Sequence, residues 1–149
     1  MTEIIHVSTT RHEEWEGPKR YIRVYIYDTL DEFRLNYSPW WRDRDNRNDM
    51  LGAVGCFEPA PDKERHINGQ WIKTHDRHWA GVMRLTKGWI DVQSVTHECV
   101  HAAAAIWRRD VAPKLYLGED CGPNEEMLAY MVGDLSYGLY SKLYSEELV

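Results

Sequence analysis

The hydrophobic period of this chain changes near its middle, and that change restricts the folds it can adopt. In residues 21–27, Ile and Val alternate with Tyr and Arg, which predicts a strand with one buried face. In residues 92–109 the apolar side chains recur at helical spacing, and a second helical segment is predicted at about 124–144. Strands followed by two long helices predict an α+β fold.

Shorter elements are predicted around these segments. The chain also has a tract, 42–49, in which nearly every residue is Arg, Asp or Asn, and this tract is predicted to be a polar loop. The other predictions are a strand at 4–7 beside 21–27, a short helix at 30–35, a short strand at 53–57, and a strand pair formed by 71–73 and 81–86.

Length and composition indicate one soluble domain spanning residues 1–149. Hydrophobic residues make up 43% and charged residues 28% of the chain, as in ordinary globular proteins. No apolar run approaches the roughly 20 residues that cross a bilayer, and Met1-Thr2-Glu3-Ile4 does not begin a signal peptide. We therefore expect a cytoplasmic protein with no membrane partner. Three scattered cysteines are expected to be reduced and mostly buried: Cys56, Cys99 and Cys121.

The net charge of −6 does not favour binding to nucleic acid as a partner. Residues 63–87 are a local exception, because six Lys and Arg side chains gather there with three histidines. We interpret this segment as a solvated surface. The competing interpretation is a nucleic-acid surface that uses Trp71 and Trp79, and it predicts binding that depends steeply on salt.

The segment His97-Glu98-Cys99-Val100-His101 is an HExxH motif within the first long helix. Residues four apart lie on one helix face, so the two imidazoles can bind one tetrahedral zinc ion (Zn²⁺). Glu98 is rotated by about 100° from His97, beside the metal, where it can take a proton from a metal-bound water. Random placement of the same residues would produce only about 0.03 such motifs in a chain of this length.

A catalytic zinc normally has three protein ligands and one water. The first turn of the second helix offers Glu125 and Glu126, and the small residues that follow His101 would let that helix approach. Acidic residues are also common in first turns without a metal, because the helix dipole favours negative charge there. The residues alone do not choose between the two carboxylates.

An HExxH motif followed about 25 residues later by a Glu-x-x-Ala-Tyr helix resembles the gluzincins, zincin-like metallopeptidases whose third ligand is a glutamate. The closest similarity is to small, mostly uncharacterised members encoded by phages, and it covers about residues 89–143. The resemblance assigns the zinc ligands to His97, His101 and Glu126, and the general base to Glu98. It also implies a small mixed sheet over the active-site helix, with residues 81–86 pairing with an extended peptide. For a phage-encoded protein, the host cytoplasm is the expected location.

Other roles in such a site have only candidates. Tyr130 shares a helix face with Glu126 and is a candidate oxyanion donor, as are His75 and His78. The carboxylates that could orient the histidines are Asp91, Asp120 and Asp134. No glycine-and-histidine extension follows His101, which excludes the metzincin subtype.

Two hypotheses from different classes follow. The first is a zinc metallopeptidase that hydrolyses peptide bonds in a peptide or protein substrate, with a zinc-bound water activated by Glu98. The alternative is a non-catalytic zinc-binding interaction module, such as a phage accessory protein that engages a host factor. A structural zinc site usually closes its fourth position with Cys or His, and Cys121 lies five residues before Glu126.

Overall fold

The computed structural model describes residues 3–8, 20–36, 53–61, 63–74, 78–110 and 123–149. The elements in these ranges are, in chain order, β1 (Glu3–Ser8), β2 (Tyr21–Tyr27), α1 (Leu30–Asn36), β3 (Gly55–Pro59), β4 (Lys63–Ile67), β5 (Gln70–Thr74), β6 (Trp79–Thr86), α2 (Val92–Asp110) and α3 (Pro123–Ser145). The predicted α+β class is confirmed. The predicted polar loop at 42–49 lies outside the described residues.

Four strands form a mixed sheet in the order β1-β2-β6-β3. β2 pairs with β1 antiparallel and with β6 parallel, whereas β3 pairs with β6 antiparallel. Because both sides of β6 are paired, its backbone cannot also pair with a peptide. The expectation that residues 81–86 bind an extended substrate as an edge strand is therefore wrong.

The predicted pairing of residues 71–73 with 81–86 is also wrong. β5 pairs instead with β4 in a separate two-stranded sheet, with Ile67 opposite Gln70. Asn68 and Gly69, between these two residues, both have positive φ angles, of 50° and 81°. This is the two-residue turn that Asn-Gly favours, and it joins the nearest strands in the chain. The described side chains of this hairpin are exposed, Trp71 at 71%.

The main core lies between the sheet and the two long helices. Ile22, Val24 and Ile26 on one face of β2 are buried there, as the alternating pattern predicts. The opposite face of the sheet carries a smaller cluster in which Phe33 of α1 packs edge-on against Tyr27. α2 and α3 therefore lie on one face and α1 on the other. Within the described ranges no helix combines the length and apolar character needed to cross a bilayer.

Polar contacts of buried or partly buried groups hold the end of α2 against the sheet. Arg20, just before β2, donates from Nε and Nη2 to the two carboxylate oxygens of Asp110, over 2.5 and 2.6 Å. Arg109 donates to the carbonyl oxygen of Ala60, just after β3. Since these contacts join α2 to two different strands, they position the helix that carries the HExxH motif.

A Gly81→Ala substitution should destabilise the protein by about 1–3 kcal/mol, the range for overpacking a filled interior. A Cβ atom at Gly81 would lie 2.3 Å from the carbonyl oxygen of Glu58 and 2.6 Å from the ring of Phe57. Relief of the first contact requires a backbone shift where β3 pairs with β6. Urea denaturation at equilibrium measures the change in the free energy of unfolding.

Gly133→Ala is the matched control for this substitution. A Cβ at Gly133 has nothing within 4 Å, and alanine in the interior of α3 should stabilise the protein by about 0.5–1 kcal/mol. Equal destabilisation by the two substitutions would contradict the steric explanation for Gly81.

Candidate metal centre

The start of α2 sets the rotational position of the HExxH motif. The carboxylate of Asp91 accepts a 2.7 Å hydrogen bond from the Ser94 backbone N–H, and the Ser94 hydroxyl donates to the Trp89 carbonyl. Hydrogen bonds from Ser94 lower the pKa of Asp91. Asp91 is therefore the N-cap of α2, and its carboxylate does not hydrogen-bond to either histidine.

His97 and His101 lie on the solvent-exposed face of α2, opposite the residues that pack in the core. Their Nε2 atoms face each other at 3.2 Å, and their ring centroids are 4.9 Å apart. Two bonds of 2.0–2.1 Å from a tetrahedral zinc ion place the bound nitrogens about 3.3 Å apart. The two imidazoles therefore already have the separation of two zinc ligands.

The electrostatic surroundings favour the neutral imidazole of His101. Partial burial lowers its pKa, and the positive charges of His97 and Arg108 act in the same direction. A neutral imidazole has the free lone pair that a metal requires.

Glu98 points away from solvent, toward the edge strand β3. Glu98 is only 7% exposed, and its carboxylate accepts a hydrogen bond from the backbone N–H of Phe57. The Glu98 side chain lies against β3 at Gly55, where a Cβ atom would be in ordinary van der Waals contact with Cγ of Glu98, at 3.7 Å. Burial raises the pKa of Glu98, against the opposing effects of His97 and the Phe57 N–H.

The second carboxylate oxygen of Glu98, Oε2, is buried and has no hydrogen-bond partner in the described part of the protein. A buried carboxylate oxygen without a partner costs free energy, so it marks a place where a further group is expected. A bound metal ion with its water would supply such a group. Of the groups that the motif supplies, the paired histidines have the spacing of two zinc ligands, and Glu98 is a buried carboxylate with one unpartnered oxygen in the described part of the protein.

The structure does not account for a third zinc ligand at Glu126. α3 runs antiparallel to α2, since Ser136 lies beside Cys99 and Tyr140 lies near both Cys99 and Asp91. Glu126 is ten residues before Ser136, which is about 15 Å along the helix axis.

α3 also packs against the buried side of α2, whereas the histidines face outward. Among the described residues, no group of three His, Cys, Asp or Glu side chains is placed to hold a metal ion. The structure therefore does not bring Glu126 to His97 and His101, and its role as a ligand stays a prediction that this arrangement does not support.

The remaining candidate residues are dispersed. Tyr130 is 46% exposed on α3, and its role as an oxyanion donor stays a prediction. Asp134 makes no hydrogen bond to the histidines, and His78 is exposed just before β6. His75, Asp120, Cys121 and the side chain of Glu125 lie outside the described residues.

The two described cysteines, Cys56 and Cys99, are buried and form no disulfide, as predicted. Burial raises the pKa of the Cys99 thiol to about 11. The Cys99 side chain belongs to the main hydrophobic core.

Sequence reasoning missed two contributors to the site. The first is the Phe57 N–H, which no pattern in the sequence could reveal because it depends on where β3 lies relative to α2. The second is Arg108, seven residues after His101 on the same helix face. The spacing of two helical turns between His101 and Arg108 could have revealed from the sequence that they share a face.

Comparison with known proteins found no matching family model, no matching curated protein and no matching solved structure.

Proposed function

We propose that this protein is a zinc-dependent metallopeptidase of the zincin-like type. The observation that carries the proposal is the 3.2 Å separation of the His97 and His101 Nε2 atoms. The buried carboxylate of Glu98, next to His97 in the chain, has one oxygen without a hydrogen-bond partner in the described part of the protein. Two imidazole ligands and a carboxylate base are among the groups that zinc-dependent hydrolysis uses. The gluzincin resemblance of the sequence supports the same chemistry.

In this mechanism His97 and His101 would hold the metal ion. Bound zinc would supply a Lewis acid that polarises the scissile carbonyl and lowers the pKa of water. Glu98 would accept the proton of the attacking water and later pass it to the nitrogen of the leaving amine. The Phe57 N–H holds the carboxylate in place during both transfers.

Zinc binding tests the site directly. After equilibrium dialysis against zinc chloride, elemental mass spectrometry should find one zinc per wild-type chain. His97→Ala and His101→Ala should each weaken binding by more than about a hundredfold, since even the partners of zinc ligands contribute up to that factor. His66→Ala is the matched control, because His66 is exposed on the β4–β5 hairpin, outside the motif.

The same measurement on Glu126→Ala tests the third ligand. Unchanged affinity would remove Glu126 from the ligand set, and loss of binding would restore it. A wild-type chain that binds no zinc would contradict the proposal. If zinc binds and Cys121→Ser releases it, the non-catalytic zinc-binding module becomes the better interpretation, because a structural site is closed by four protein ligands.

A further inference from the structure

The outer face of α2 continues beyond the histidines to an exposed arginine, Arg108. Arg108 follows His101 by seven residues, two helical turns, and lies about 10.5 Å further along the same face. Between them on this side of the helix stand Ala104 and Ala105, both partly exposed. Because these side chains are only methyl groups, the described residues between His101 and Arg108 on this face are small.

Arg108 differs from the charged residues that follow it. Arg109 donates to the Ala60 carbonyl and Asp110 pairs with Arg20, so both fasten α2 to the sheet. Arg108 is exposed and donates only its Nε–H, over 3.2 Å, to the carbonyl of Ala104 in its own helix. In the described part of the chain, neither terminal nitrogen of its guanidinium has a carboxylate partner.

The edge strand β3 packs alongside α2. β3 runs beside α2 in the same sense, because Phe57 contacts Glu98 at one end and Ala60 contacts Arg109 at the other. An extended peptide that follows this direction from the histidines advances about 3.3 Å per residue. Its third residue therefore reaches the level of Arg108.

Building on the peptidase activity proposed above, we infer that Arg108 binds a substrate carboxylate about three residues from the scissile bond. The substrates are then peptides with a carboxylate at that distance, from an Asp or Glu side chain or from a free C-terminus. The planar guanidinium is suited to this role, since it can bind a carboxylate through two parallel hydrogen bonds.

A positional series of fluorogenic peptides tests the inference. Each peptide is N-acetylated and C-amidated and carries Glu or Gln at one position, and a further peptide has a free C-terminus. For wild-type protein we expect kcat/KM to be about fivefold higher with Glu than with Gln at the third residue, the upper range for an exposed ion pair. Arg108→Gln should remove this preference, and Arg108→Lys should retain part of it.

A binding measurement provides a readout that needs no catalysis. Fluorescence anisotropy of labelled peptides with the metal-free Glu98→Gln protein should show the same fivefold ratio of Kd values, abolished by Arg108→Gln. Arg65→Gln is the control, because Arg65 is another exposed arginine, on the β4–β5 hairpin. It should leave both ratios unchanged.

The outcomes separate this inference from the proposed function. Cleavage without a Glu preference, or with one that survives Arg108→Gln, overturns the role of Arg108 and leaves the peptidase intact. Absence of both cleavage and zinc binding removes the proposed function, and the inference with it. If Arg108 raises kcat/KM only for the peptide with a free C-terminus, the role of Arg108 is supported, and the terminal carboxylate is identified as its ligand.

Discussion

A Glu98→Gln variant is expected to bind zinc like the wild type and to hydrolyse peptides about 10²- to 10⁴-fold more slowly, the usual contribution of a general base. The amide has the shape of the carboxylate and can still accept the hydrogen bond from the Phe57 N–H. It cannot take a proton from the attacking water. Since the side chain is buried, the uncharged amide should also leave the free energy of unfolding unchanged or slightly higher.

The measurement is kcat/KM for a peptide that the wild type cleaves, with zinc content determined on the same samples. Glu146→Gln is the control, because Glu146 is exposed in the turn after α3. Its activity should equal that of the wild type. Comparable activity in Glu98→Gln would exclude Glu98 as the base, even if the zinc site is real.

The second large effect concerns the ion pair between Arg20 and Asp110. The two side chains are 5% and 9% exposed, and two hydrogen bonds join them. Asp110→Asn or Arg20→Met should each lower the free energy of unfolding by about 3–5 kcal/mol, the usual cost of breaking a buried ion pair by changing one member. Urea denaturation at neutral pH measures this loss.

A second ion pair serves as the matched control. Lys87 and Asp28 lie 2.9 Å apart, but their side chains are 35% and 41% exposed. Lys87→Gln should therefore cost less than about 1 kcal/mol. The double variant Arg20→Met/Asp110→Leu should recover much of the stability that the single variants lose, since no charge stays buried. A loss of less than 1 kcal/mol in both single variants would show that the pair is not buried in solution.

The positions of the regular elements could be predicted well from the sequence. The helix predicted at 92–109 is α2, Val92–Asp110, and the strand predicted at 21–27 is β2. Both predictions rest on a hydrophobic period, which depends only on how each segment turns its own apolar side chains to one side. Strand pairing was harder, because β6 is paired with β2 and β3, each more than 20 residues away along the chain. No local pattern specifies such neighbours.

In the candidate site, too, some features follow from the sequence and others only from the packing. The sequence by itself determined that His97 and His101 share a helix face and that Glu98 lies about 100° away from His97, because helix geometry alone sets these relations. Only the tertiary structure decided that the histidines face solvent while Glu98 is buried against β3. It also decided that, among the described residues, Glu126 forms no three-ligand group with the two histidines. These features depend on how β3 and α3 pack against α2, and packing between distant segments is not encoded in the spacing of a five-residue motif.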